Sequence, residues 1–342
     1  MRRFPALFIA VLGTAVTLSA CASDSGNGNG DGELGASGDF GDKPEITVPS
    51  DDPSAELVIQ VLSEGDGADV ASGDFLVVNY LGQTWEPRDP ADIPTEDPAD
   101  AAPEDGTEPT ESPAEETEAD DSAEDSGGDP QPYIFDNSYD RGEPVGFYVG
   151  VGQLIPGWDE GLVGQQVGSR VLLSIPPEQG YGGQEGHDLA EDTLVFVVDI
   201  IDAYNVNSQI SGEPVSDLPG DMPTVTGEGA DEPVVEFPDS AEPVSESTTD
   251  LLVAGDGEEL SENLVVKALE VSYATGESGY SSWTEGSVTV INIQQIPGLA
   301  EALDGQNEGS RVLVRIAPED NVTEESPDGE PIAIVVDVVG SY

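Results

Sequence analysis

The chain repeats itself, and this limits what it can fold into more than any other feature. Ile155-Pro156-Gly157-Trp158-Asp159-Glu160-Gly161-Leu162 returns as Ile296-Pro297-Gly298-Leu299-Ala300-Glu301-Ala302-Leu303, 141 residues on. Gly168-Ser169-Arg170-Val171-Leu172 returns as Gly309-Ser310-Arg311-Val312-Leu313 at the same offset. Upstream, Gly65-Asp66-Gly67 matches Gly255-Asp256-Gly257, and Pro44-Glu45-Ile46-Thr47-Val48-Pro49 resembles Pro233-Val234-Val235-Glu236-Phe237-Pro238, at offsets near 190. The first copy therefore carries an insert that the second lacks. Self-similarity at this spacing means two copies of one fold, which 342 residues accommodate.

The insert is visible in composition. Glu86 to Pro132 holds nine Pro and 18 acids against one Arg, with Ile93 its one large aliphatic residue. Such a segment cannot bury enough apolar surface to offset chain entropy, so 86–132 is expected to be a disordered acidic insert with no EF-hand spacing. A second acidic, Pro- and Gly-containing stretch, 205–231, reads as a linker. Over the whole chain, 71 acids against 9 Lys and Arg give a net charge of −62. That field repels phosphate backbones, so nucleic acid is excluded as a partner. One cysteine and one histidine exclude an internal disulfide and a His/Cys metal site, and no cofactor or metal is expected.

The lone cysteine, Cys21, has an informative neighbourhood. Arg2 and Arg3 precede a mostly apolar run, Phe4 to Leu18, that ends in Leu18-Ser19-Ala20-Cys21. A basic region, an apolar core and small residues at a cleavage point form a secretory signal, too short to span a bilayer. Its end at a cysteine resembles the lipobox of bacterial, actinobacterial-like lipoproteins, which implies lipidation at Cys21. The expected organisation is a signal peptide over 1–20 and a flexible tether over 21–42, rich in Gly, Ser and Asn. The mature chain is then held by acyl chains on the extracytoplasmic face of the cell membrane, with no other membrane contact.

Between the acidic stretches the patterning is β. Leu57 to Leu62, Phe75 to Leu81, Gly146 to Val149, Ser169 to Ile175 and Thr193 to Ile201 are short apolar or alternating runs bounded by Gly, Pro and Asp. Gly157 to Gly164 is the one helical stretch. The expected class is α+β: about five antiparallel strands curled over one short helix, in 43–204 and again in 232–342.

Several motifs in fixed order then carry a family resemblance. Phe135-Asp136-Asn137-Ser138, Arg141, Gly150 through Gln153-Leu154-Ile155-Pro156-Gly157-Trp158-Asp159-Glu160-Gly161-Leu162, Val167-Gly168-Ser169-Arg170, Tyr181-Gly182 and Thr193-Leu194-Val195-Phe196 resemble an FKBP-type peptidyl-prolyl cis-trans isomerase. The resemblance covers about Glu56 to Tyr204 apart from the insert. It implies an active site in a hydrophobic cleft between sheet and helix, proline-containing polypeptides among exported proteins as partners, and binding of macrolide inhibitors by a monomer.

Carried over position by position, it places Tyr80, Phe135, Val145, Leu154, Ile155, Trp158 and Phe196 around the proline ring, with Trp158 as floor. Asp136 is implied as a buried acceptor near the twisting carbonyl, positioned by Arg141 and Tyr80. Tyr181 and the Ile155 amide are implied as donors to substrate, and Gln153, His187 and Leu189 as further contacts. Two departures stand out. Val145 replaces a common aromatic, and the capping segment is the acidic Leu189-Ala190-Glu191-Asp192.

The second copy keeps the strand patterns and loses the cleft. Opposite Tyr80, Phe135, Asp136, Trp158 and Phe196 it has Ala268, Gly279, Tyr280, Leu299 and Ile334, with no evident counterpart to Tyr181. It reads as a degenerate, non-catalytic FKBP-like domain. The competing functions are an extracytoplasmic polypeptide-binding chaperone with incidental or no isomerase activity, and a structural envelope lipoprotein. Dinucleotide fingerprints, phosphate loops and nucleophile elbows do not occur.

Overall fold

The computed structural model describes residues 33–89, 93, 130–184, 186–239, 241–294, 296, 298–322 and 328–342. The expected signal segment, Cys21, the tether as far as residue 32 and most of the acidic insert (90–92 and 94–129) lie outside the described residues.

The N-terminal half runs β1 (Gly35–Ser37), β2 (Glu45–Thr47), β3 (Val58–Ser63), β4 (Phe75–Arg88), β5 (Gln131–Asn137), α1 (Ser138–Arg141), β6 (Val145–Tyr148), α2 (Pro156–Leu162), β7 (Arg170–Ile175) and β8 (Leu194–Tyr204). Six strands form one antiparallel sheet in the order β3-β7-β8-β4-β5, with β6 paired to β4. That is one strand more than the expected five. The addition, β5, is punctuated by Pro132 and Asp136, which mask its alternation of buried Tyr133, Phe135 and Asn137 with exposed Ile134. The ends of the acidic insert belong to this ladder, since Pro87 pairs with Pro132 and Arg88 with Gln131.

Alternation along β7 and β8 assigns the two faces of the sheet. Val171, Leu173 and Ile175 join Leu194, Phe196, Val198 and Ile200 in a core under α2, while Leu172, Val195 and Val197 face the other way. Helix α2 begins at Pro156, whose fixed φ and missing N–H suit a first turn. Its two glycines, unfavourable inside a helix, let it lie directly on β7: a Cβ at Gly157 or Gly161 would come within 2.5 Å of Ile175 or 2.7 Å of Leu173.

The far face is covered too, by a hairpin that the sequence did not reveal. Strands β1 and β2 pair antiparallel, and Leu34, Ala36, Ile46 and Val48 pack on Trp85, Leu172, Val195 and Val197. Three-residue strands carry too few apolar positions to show a period, so residues 33–42 were expected to be tether; in fact they are half of this hairpin. Beneath it lies a buried, bidentate ion pair: Arg170 donates through Nε and Nη2 to Asp199 at 2.6 and 2.7 Å. The same guanidinium donates to the Gly38 and Asp42 carbonyls, and Asp199 also accepts from the Gly41 amide and the Tyr139 hydroxyl.

The remaining elements are β9 (Gly212–Pro214), β10 (Thr224–Thr226), β11 (Val234–Glu236), β12 (Thr248–Gly255), β13 (Asn263–Ser272), β14 (Ser278–Ser281), α3 (Ser282–Glu285), β15 (Thr289–Asn292), α4 (Leu299–Ala302), β16 (Arg311–Ile316) and β17 (Ile332–Ser341). Their sheet has the order β14-β13-β17-β16-β12-β9, with β15 paired to β13. Apart from β9 this repeats the first sheet strand for strand, again with six strands where five were expected. The hairpin recurs as β10–β11, and the clamp as Arg311, paired with Asp337 at 2.5 and 2.8 Å and donating to the Gly227 carbonyl. Residues 205–231, expected to be a linker, therefore carry an edge strand and half of a hairpin.

Candidate active site

The side chains singled out from sequence converge on the α2 face of the first sheet. Tyr80 lies on β4, Phe135 on β5, Trp158 on α2 and Phe196 on β8, and all four are buried. The Trp158 ring meets Tyr80 and Phe196 edge-on, with centroids 5.2 and 5.3 Å away, and Phe135 meets Phe196 likewise at 5.4 Å. Edge-to-face packing matches positive ring edges to negative ring faces, so each ring holds the next in orientation. Val145, Leu154, Ile155 and Tyr181 pack around this floor partly exposed, and Leu189 is buried against it.

Two members of the cluster escaped the sequence reading. Phe147, on β6, stands 5.6 Å from Trp158 at an interplanar angle of 82° and 6.2 Å from Tyr80 at 62°. The period of two along Val145-Gly146-Phe147-Tyr148 carried that signal, because it puts Phe147 on the same face as Val145. With Val145 standing where an aromatic was expected, Phe147 supplies a ring on that strand. The second is Gly82, where a Cβ would lie 2.6 Å from Phe196 and 2.7 Å from Phe135. Only glycine leaves β4 room for both phenyl rings.

At the mouth, Asp136 differs from its expected state. Its side chain is 37% exposed, on the alternate face of β5 from the buried Phe135 and Asn137. Both oxygens are engaged: Oδ2 accepts from the Tyr80 hydroxyl, and Oδ1 accepts from Arg141 Nη1 at 2.5 Å and from the Asn137 amide at 2.8 Å. Arg141 also donates to the Tyr80 oxygen at 3.3 Å and sits over its ring. Asp136 thus fixes Tyr80 and Arg141 at the rim. Burial, reinforced by the hydrogen bond to Asp136, raises the Tyr80 hydroxyl well above the ordinary tyrosine range. Burial and the Asp136 charge raise Tyr181 in the same direction, so both hydroxyls stay protonated at neutral pH.

Three donors around the cluster are unused among the described residues: the Tyr181 hydroxyl, the Ile155 amide and the buried Trp158 Nε1. Ile155 caps α2 in an extended conformation, its carbonyl accepting from the Trp158 amide while its own N–H stays free. His187 stacks on Tyr181 with centroids 4.0 Å apart, and its Nδ1 accepts from the Leu189 amide. That contact holds the loop rather than facing the rings. Gln153 is exposed and stands outside the cluster. The capping loop is held by Arg88, which donates to the Asp188 carbonyl and to Asp192 at 2.5 Å.

A family model described as FKBP-type peptidyl-prolyl cis-trans isomerase matches residues 130–201, the span from β5 through α2 to β8. A curated relative, "FK506-binding protein" of Streptomyces anulatus, is 31% identical over 163 residues, which cover 47% of this chain and 96% of that protein. The chain belongs to the FKBP-type peptidyl-prolyl cis-trans isomerase family. "FK506-binding protein 2" of Gibberella zeae is 52% identical over 68 residues, 20% of this chain and 35% of that protein. Among solved structures, Escherichia coli FkpA aligns with 43% of this chain and 47% of its own, at 30% identity and a TM-score of 0.27. In this FKBP-type chain the aromatic floor is assembled from five elements, β4, β5, β6 and β8 of one sheet and the helix α2.

The C-terminal sheet provides a comparison within the molecule. The Ser138 hydroxyl accepts from the Tyr80 amide, as Ser282 does from Ala268, which fixes the correspondence of the two sites. Leu299, Ile334 and Ala268 then stand where Trp158, Phe196 and Tyr80 stand, and Val322 takes the place of Tyr181 after the equivalent turn. The hydrophobic core is retained there and the rings are absent.

Proposed function

We propose that the aromatic cluster is a prolyl pocket that accelerates rotation about X-Pro bonds in exported polypeptides. The barrier to that rotation is roughly 18–20 kcal/mol, because twisting destroys amide resonance. No bond is made or broken, so a catalyst acts by favouring the twisted amide over the planar one. An apolar floor takes the amide out of water, which weakens the charge separation that stabilises the planar form. Donors at the rim then meet the carbonyl oxygen once it has rotated. The carrying observation is the union of ring floor and free donors: Tyr80, Phe135, Phe147, Trp158 and Phe196 below, with Tyr181 and the Ile155 amide unused at the edge.

The C-terminal copy, without these rings, takes no part in the chemistry. Macrolides of the FK506 type, named in the relatives, would occupy the same floor, beneath the Arg88-held loop. Exchange spectroscopy on an X-Pro peptide checks the activity: the full chain is expected to broaden and exchange cis and trans signals that interconvert over tens to hundreds of seconds unaided. Unchanged exchange at equimolar protein would reject the reading.

The site of action follows from the N-terminus, which lies outside the described residues. The basic residues Arg2 and Arg3, the apolar run and the small residues before Cys21 support export and lipidation. Cys21→Ser is expected to move the protein from the membrane fraction to the soluble fraction. Retention of that variant on the membrane would rule out the anchor.

A further inference from the structure

Strand β6 has two faces with different tasks. Val145 and Phe147 point to the ring cluster, while Tyr148 points to the C-terminal sheet. The strand is four residues long and, among the described residues, pairs only with Phe75–Val78 of β4. So short a strand, laddered on one side, is held as much by what packs behind it as by its hydrogen bonds.

What packs behind it is the second copy. Phe75, Val77, Tyr204, Val265, Val288 and Val339 form one buried cluster that draws on both sheets, and Tyr148, Ile201, Val290 and Tyr342 pack against it. The Tyr148 hydroxyl donates to the Val288 carbonyl, and its ring stands edge-on to Phe75 at 5.2 Å. Gly146 has no side chain because rings from both halves lie there: a Cβ would come within 2.1 Å of Phe75 and 3.0 Å of the Tyr342 hydroxyl. Reciprocally, a Cβ on Gly340 would come within 2.1 Å of Tyr204. Equivalent positions of the two copies enter this cluster together, Val77 and Val265, and Tyr204 and Tyr342. A β-bulge at the same place in each ladder adds Ile201 and Val339 to the contact.

We propose that the C-terminal sheet is a positioning element for the prolyl pocket, holding β6, and through it Phe147, against Trp158. The repeat kept its core and lost its rings because its task became support. Tyr342 is then a positioning residue that touches no substrate. The proposal rests on the pocket reading, and the two are separable by experiment.

The test uses the full chain with Tyr342→Ala and Tyr342→Phe. An ångström of misplacement in a catalytic wall costs one to two decades in rate, so Tyr342→Ala is expected to lower kcat about tenfold with KM within a factor of about two. It should also shift the Trp158 indole resonance in the absence of peptide. Tyr342→Phe keeps the ring and should restore both. Leu252→Ala, a buried lesion in a separate cluster with Met222, Leu269 and Val335, should move neither. Val288→Ala is the milder variant if Tyr342→Ala does not fold, and is expected to shift both readouts in the same direction. Folded variants with wild-type kcat and an unmoved indole signal would overturn the proposal alone. An inactive wild-type chain would defeat the pocket reading, and this proposal with it.

Discussion

Trp158→Leu is expected to lower kcat/KM on X-Pro peptides about ten- to a hundredfold while the fold stays intact. The second copy supplies the reason for the choice of leucine: Leu299 fills the equivalent position fully buried, on a sheet of the same order. Leucine therefore suits the backbone and removes only the ring. What disappears is the floor that Tyr80, Phe147 and Phe196 meet edge-on at 5.2 to 5.6 Å. Each such ring pair contributes about 0.5–1.5 kcal/mol beyond its buried area, so the three neighbours lose their fixed orientations together. The stability loss should stay below the ~3–5 kcal/mol of a truncation to alanine. A variant that melts near the wild type and keeps its full rate would show that the floor is not the catalyst.

Asp199→Ala is expected to cost about 3–5 kcal/mol of stability, because it strands the Arg170 guanidinium in a buried site without its counter-charge. At about 2–4 °C per kcal/mol for a unit of this size, the melting midpoint should fall by roughly 10 °C. The loss spreads beyond the pair. Asp199 also holds the Gly41 amide and the Tyr139 hydroxyl, so the hairpin and α1 loosen with it. Replacing both partners by apolar residues, Arg170→Met with Asp199→Leu, should recover part of the loss, since buried pairs are often exchangeable for well-packed apolar side chains. Thermal denaturation followed by near-ultraviolet circular dichroism reads both variants. A midpoint for Asp199→Ala within 2 °C of wild type would contradict the clamp's structural role.

The repeat and the ring floor were legible in the sequence, since each rests on residue types that survive in fixed order. Strands β7 and β8 were legible for a related reason: with both faces covered they read as nearly continuous Val, Leu and Ile. What was not legible depended on tertiary contact. The β1–β2 and β10–β11 hairpins each offer only a few apolar residues, and the clamp that fastens them acts on backbone carbonyls, which carry no residue signature. Phe147 sat in view, since alternation along β6 puts it on the face of Val145 and Tyr148 on the other. The burial of Asp136 is what the resemblance implies; its place near the end of β5, where Arg141 reaches it, leaves the side chain partly exposed.

The pocket assignment is tested most directly by the indole signals of the full chain. There are three tryptophans, and they report three places: Trp85 under the N-terminal hairpin, Trp158 in the ring cluster and Trp283 on α3 of the C-terminal half. Titration with a proline-containing peptide is expected to move the Trp158 indole resonance and leave the other two in place. Movement of Trp283 with Trp158 unchanged would put the polypeptide on the other half and contradict the account.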